Sequence, residues 1–157
     1  MASLARYRPL IIILLIITLA SAALAWEACD AHLFMRGFMG LFFLIFAMFK
    51  LFDLGGFVKG FTMYDLLAKR VPAYGYAYPF VELALGLLFL SGALPGAAAL
   101  ATLLLMSVSA VWVLLALRRG LDVRCACLGT LLDVPLTTVS LWENIGMGGM
   151  AGLQLLQ

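Results

Sequence analysis

Charge is scarce in this sequence: Lys, Arg, Asp and Glu together make up 11% of its 157 residues, against roughly 25% in an ordinary soluble domain. Histidine is rarer still. With His32 alone, haem held by an axial His pair is excluded, as is any Ser-His-Asp set with a second His to spare. No Gly-rich phosphate loop and no zinc-ligand quartet can be read, which removes nucleotide chemistry and structural zinc. The formal net charge of +2 is too small, and its Lys and Arg too scattered, for nucleic-acid binding. No internal repeat is present.

What is abundant is apolar surface. Hydrophobic residues account for 66% of the chain, where soluble domains have roughly 45–50%, so water cannot be the main solvent. A hydrocarbon core about 30 Å thick needs roughly 20 apolar residues per helix, which leaves room for about four to six crossings and no second domain. Helix is the viable state for such segments, because unpaired backbone groups in lipid cost several kcal/mol and the alternation of barrel strands is missing. The sequence thus predicts an all-α integral membrane protein, one transmembrane domain over residues 1–157, with five spans near 9–26, 33–52, 76–94, 96–117 and 136–156. Its first partner is the lipid bilayer, and association into oligomers is compatible with it.

Positive charge supplies the orientation. Arg6 and Arg8 precede the first span, Lys50, Lys59, Lys69 and Arg70 surround the second connection, and Arg118, Arg119 and Arg124 lie in the fourth, whereas Arg36 alone falls on the opposite side. The positive-inside rule then places the N-terminus in the cytoplasm and the C-terminus outside a plasma (inner) membrane. The first segment has a rival reading: a short basic start, an apolar run and Ala23-Leu24-Ala25 resemble a cleavable signal peptide, whose removal would leave four helices.

Residues 57–71 are too charged to cross, yet Phe57, Phe61, Tyr64, Leu67 and Val71 recur at helical spacing, with Lys59, Lys69 and Arg70 able to reach headgroups. This pattern predicts a short amphipathic helix lying on the cytoplasmic membrane surface, bounded by Gly55-Gly56 and Pro72. Residues 91–96 read as a tight turn between antiparallel neighbours. In the last span, Gly146, Gly148, Gly149 and Gly152 suggest close helix approach.

The chemistry-bearing residues are few. Cys125-Ala126-Cys127, in the fourth connection, can form a strained disulfide or bind one soft metal ion. A close Cys pair at a cytoplasmic face points to catalysis or metal binding more than to a structural disulfide. Arg118, Arg119 and Arg124 nearby would favour the nucleophilic thiolate. Cys29 and His32, three apart in the external connection, form an alternative soft-metal pair whose helical face continues through Met35 and Met39. Ionisable residues within apolar spans need a reason: Lys50 and Asp53 can pair along one helix, Lys50 with Glu82 across the bundle, or these groups with Glu143 and Asn144 can form a polar pocket beneath the Cys loop.

The run Phe49-Lys50-Leu51-Phe52-Asp53, the later Tyr78-Pro79-Phe80-Val81-Glu82-Leu83 with Gly86, and Cys125-Ala126-Cys127-Leu128-Gly129 resemble the methylamine-utilisation MauE family, within the wider DoxX-like redox-associated membrane proteins. The resemblance runs from about Leu33 to the C-terminus, as a four-helix core with the first span outside it. Leu128 stands where many relatives carry an aromatic residue. The resemblance implies a bundle engaged in thiol redox or in maturation of exported disulfide-bearing proteins, with Cys125 and Cys127 as the redox pair and Lys50, Asp53 and Glu82 beside it. Through Val81-Glu82-Leu83 and Val134-Pro135-Leu136 with Glu143 the chain also resembles proteins joined to small heavy-metal-binding domains.

Three functions compete on these grounds. One is a thiol–disulfide oxidoreductase component working with a thioredoxin-like protein or a quinone. Another is a transporter relaying copper or mercury from Cys29 and His32 outside to Cys125 and Cys127 inside. The third is an assembly subunit without chemistry, in which all three cysteines are dispensable.

Overall fold

The computed structural model describes residues 2–120 and 138–156, which form seven helices and no strand. In chain order these are α1 (Ala2–Ala25), α2 (Ala31–Phe52), α3 (Leu54–Tyr64), α4 (Leu66–Arg70), α5 (Pro72–Ser91), α6 (Pro95–Arg118) and α7 (Thr138–Leu155). Four of them, α1, α2, α5 and α6, are long and apolar enough to cross a membrane. In α7, Glu143, Asn144 and four glycines dilute a helix of 18 residues.

Short polar signals set the helix boundaries. Asp30, Asp53 and Asp65 each occupy an N-cap, accepting from the N–H of His32 at 2.8 Å, Gly56 at 2.9 Å and Ala68 at 2.8 Å. Each satisfies a donor that the first helical turn leaves without a carbonyl. Pro72 and Pro95 stand in the first turn of α5 and α6, where the missing N–H is harmless. Gly92 ends α5 in the left-handed region at φ 70°, and Leu94 follows at φ 49°, so the expected tight turn forms. At this end Arg36 donates from Nε and Nη2 to the Phe89 carbonyl, at 3.3 and 3.4 Å. Arg36 therefore adds a charged donor to a carbonyl in the last turn of α5 that also accepts from the Gly92 N–H at 3.3 Å, at the helix end whose dipole favours a cation.

Helix α2 lies along α1 on one side and α5 on the other, while α6 lies along α7, and contact between the two groups is sparser. The α2–α5 crossing is close because of two isolated glycines. A Cβ on Gly40 would come within 2.7 Å of the Leu90 side chain and 3.1 Å of the Gly86 carbonyl, and one on Gly86 within 3.0 Å of the Gly40 carbonyl. The expectation for the last helix is corrected here. Among the described residues nothing lies within 4 Å of where a Cβ on Gly146, Gly149 or Gly152 would stand, and one on Gly148 would make ordinary contact with Met106 at 3.7 Å. Gly86→Val is expected to destabilise the protein by about 1–3 kcal/mol, the usual result of overfilling a tight contact, and Gly149→Ala to be neutral or stabilising. Unfolding in mild detergent, followed by circular dichroism, checks the contrast.

The surface-lying helix is also corrected. The segment breaks at Asp65 into α3 and α4, and Phe57, Phe61 and Tyr64 are buried against the protein, while Leu67 and Val71 are exposed. Periodicity reports that one face is apolar, and here that face packs on the bundle, with Tyr74 and Tyr78 of α5 meeting Phe61 at ring separations of 5.9 and 4.9 Å.

Asp65 itself is buried. Burial pushes its carboxyl above the usual value, against the lowering effect of the Ala68 and Leu67 N–H groups. A carboxyl whose value is raised by folding favours the native state most in acid, and that contribution is lost as pH climbs through the folded value. Asp65→Asn keeps the cap acceptor without the charge, so at neutral pH it should equal or exceed the parent in stability; Asp65→Ala loses the cap and about 0.5–2 kcal/mol. Melting curves between pH 4 and 8 test both, with the Asn variant expected to show the flatter profile.

Candidate functional site

The site is built around a charge pair inside the apolar bundle. Lys50, in the last turn of α2, places Nζ 2.6 and 2.5 Å from the two carboxylate oxygens of Glu82 on α5, with both side chains almost fully buried at 6% and 5% exposure. The cross-bundle pairing open to Lys50 in the sequence is therefore formed. Asp53, the other partner weighed for Lys50, uses its carboxylate to cap α3. Taking two ions out of water is expensive, and the enclosure shows how that cost is reduced. The ammonium lies 4.9 Å from the Tyr78 ring centre and 5.4 Å from that of Phe57, within cation–π range. Phe57 stacks on Phe61 at 5.1 Å, and Tyr64 meets Phe61 edge-on at 5.6 Å, so the pair sits in an aromatic box.

A cavity of about 30 Å³ opens beside the pair, enough for one or two waters. Lys50, Glu82, Tyr64, Tyr78, Glu143 and Asn144 supply polar lining, with Ser109 from α6. Five helices thus contribute: α2, α3, α5, α6 and α7. Lys50, Glu82, Glu143 and Asn144 line one space, and Asp53 is not among its lining residues. The aromatic walls and Ser109 are additions that the sequence reading lacked. Their signal was the spacing of Phe57 with Phe61 and of Tyr74 with Tyr78, four apart on two helices, which the surface-helix reading of residues 57–71 turned towards lipid.

A second space, a fissure of about 340 Å³, is lined by Leu14 of α1, Phe38 and Phe42 of α2, and Trp142, Glu143, Met147 and other residues of α7. It is almost wholly apolar. Phe42 and Glu143 line both spaces, so the apolar fissure and the polar cavity are neighbours that share these two side chains.

Cys125 and Cys127 lie outside the described residues, as do Arg124 and the segment preceding α7. Cys29 is exposed in the α1–α2 connection, its backbone in the left-handed region at φ 49°. His32 is exposed in the first turn of α2, and Met39 is fully buried in the core. Among the described residues no three His, Cys, Asp or Glu side chains cluster as a metal site would require.

The family model for methylamine utilisation protein MauE matches residues 3–157. The match includes α1, which corrects the expectation that the first helix is an addition to the family core. Comparison with curated proteins gives no match, and comparison with solved structures gives none.

Proposed function

This chain belongs to the methylamine utilisation protein MauE family, and from that premise we propose that it is a membrane thiol–disulfide component serving the maturation of exported proteins. Cys125 and Cys127 are its reactive pair in this reading. The supporting observation is the polar cavity itself: a buried Lys50–Glu82 pair joined by Glu143 and Asn144 of α7, the helix into which the Cys segment leads. Ionisable groups at membrane depth are costly and in general mark functional paths.

In the disulfide-forming direction, a thiolate of a thioredoxin-like partner attacks the Cys125–Cys127 disulfide, and the partner's second thiol then displaces the mixed bond. The partner leaves oxidised and the pair is left as a dithiol. Two electrons and two protons must then pass to an acceptor. A lipid-soluble quinone fits the chemistry, being reduced to the quinol as the S–S bond is remade, and the fissure between α1 and α7 offers an apolar approach from the side. Cavity groups such as Glu143 would carry the protons. A disulfide closed over a single intervening residue is strained, and strained disulfides are the oxidising ones. The topology that accompanies this reading has α7 as a fifth crossing, the N-terminus in the cytoplasm, the C-terminus outside the plasma membrane and the Cys pair at the cytoplasmic face, so the disulfide state reaches the exported protein through the partner.

The resting state of the purified protein tests the proposal. A disulfide between Cys125 and Cys127 that dithiothreitol opens and a short-chain benzoquinone restores is the expected result. Stoichiometric copper or mercury on two free thiols, with no response to quinone, would transfer the assignment to metal transport.

A further inference from the structure

At the end of the bundle that carries α3 and α4, a separate pocket of about 220 Å³ opens between those helices and the last turns of α6. Its polar lining is provided by Lys69, Arg119, Trp112 and Tyr64. Among the described residues no carboxylate lines it. The indole Nε1–H of Trp112 is buried without a hydrogen-bond partner among the described residues, an uncommon state for a native donor. Neither Lys69 nor Arg119 makes an ion pair among the described residues. Two full positive charges and an unused N–H converge on one space, and what they lack in common is an acceptor with negative charge. The C-terminal dipole of α6 opposes an anion there, but it amounts to about half an elementary charge, less than either cation.

The remaining walls say which anion. Leu66 and Leu115 line the pocket, and from Leu115 an exposed apolar stripe runs back along α6 through Val111, Val108 and Leu104, spaced to share one face of a helix. A phosphate held between Lys69, Arg119 and Trp112 would have its acyl chains lying along that stripe, at the end of a helix apolar enough to span a bilayer. We propose that this pocket binds the phosphate group of an anionic membrane phospholipid, bridging α4 to α6. Basic pockets between membrane helices are where such headgroups bind. The site has a consequence for the cavity beside Lys50, because Tyr64 lines both spaces. A lipid that ties α4 to α6 fixes one wall of that cavity.

The test uses the full chain in neutral detergent, mixed with phosphatidylglycerol or phosphatidylcholine and read by native mass spectrometry. Phosphatidylglycerol is expected to be retained in preference, and Lys69→Gln with Arg119→Gln to reduce retention about thirtyfold, roughly fivefold for each surface cation. Trp112→Phe keeps the ring and removes only the donor, and should weaken retention about fivefold, the effect of one hydrogen bond. Melting temperatures of the variants, compared without added lipid, separate lost binding from lost fold. Equal retention of phosphatidylcholine, or full retention of phosphatidylglycerol by the folded double variant, would overturn the proposal. Displacement of the lipid by millimolar inorganic phosphate would overturn the lipid as ligand and leave the pocket to a soluble phosphate.

Discussion

Glu82→Ala should cost the fold about 3–5 kcal/mol, because it strands the Lys50 ammonium in a buried box with no counter-charge. Lys50→Ala should do the same to Glu82. The decisive variant is the pair changed together, Lys50→Met with Glu82→Leu. Buried ion pairs exchanged for apolar groups of similar size are often neutral or even stabilising, so this protein should recover much of the lost stability. If the polar cavity serves chemistry, the recovered protein will still be inactive. Unfolding of the singles and the double gives the coupling energy, and maturation of the exported partner gives the activity. A double variant that is both stable and active would reduce Lys50 and Glu82 to a structural clasp.

Replacing Cys125 and Cys127 together by Ser is expected to abolish capture of a thioredoxin-like partner as a mixed disulfide. A single replacement leaves no disulfide for the reduced partner to attack, so capture should be lost with that form; supplied with the partner in its disulfide form, the surviving thiolate opens that bond and holds the partner as a mixed disulfide, which only the partner's freed thiol can reverse. Crosslinked species on non-reducing gels, identified by mass spectrometry, give the reading. Cys29→Ser is the control. It sits exposed in the α1–α2 connection, at the opposite end of α2 from Lys50, and its loss should leave capture unchanged. Capture that survives loss of both Cys125 and Cys127 would reject the thiol mechanism.

Much of the architecture was legible because it follows from solvent. Long apolar runs have few structural solutions in lipid, and the boundaries of α5 and α6 follow from Pro72, Gly92 and Pro95. Lys50 with Glu82 was legible for a related reason: two ions of opposite sign in apolar helices have few other ways to be tolerated. The surface helix was misread because Phe57, Phe61 and Tyr64 are equally good at meeting lipid or a protein interior, and a period of 3.6 does not distinguish the two. The glycines misled in the same way. A cluster in α7 looked like an interface, while the contact that needs glycine uses one residue in each of two helices, Gly40 and Gly86. Nothing in either local sequence marks such a meeting, which depends on how α2 and α5 cross.

Pro79 lies inside α5, one turn before Glu82, and withholds the N–H that would have bound the Gly75 carbonyl. The helix is therefore secured by backbone contact at its Gly86 end and weakened close to its charged residue. Of the two ends of this rod, the one beside Lys50 is thus the cheaper to bend, because one rung of its backbone ladder is already missing there, whereas at the Gly40–Gly86 crossing a shift would drive backbone against backbone.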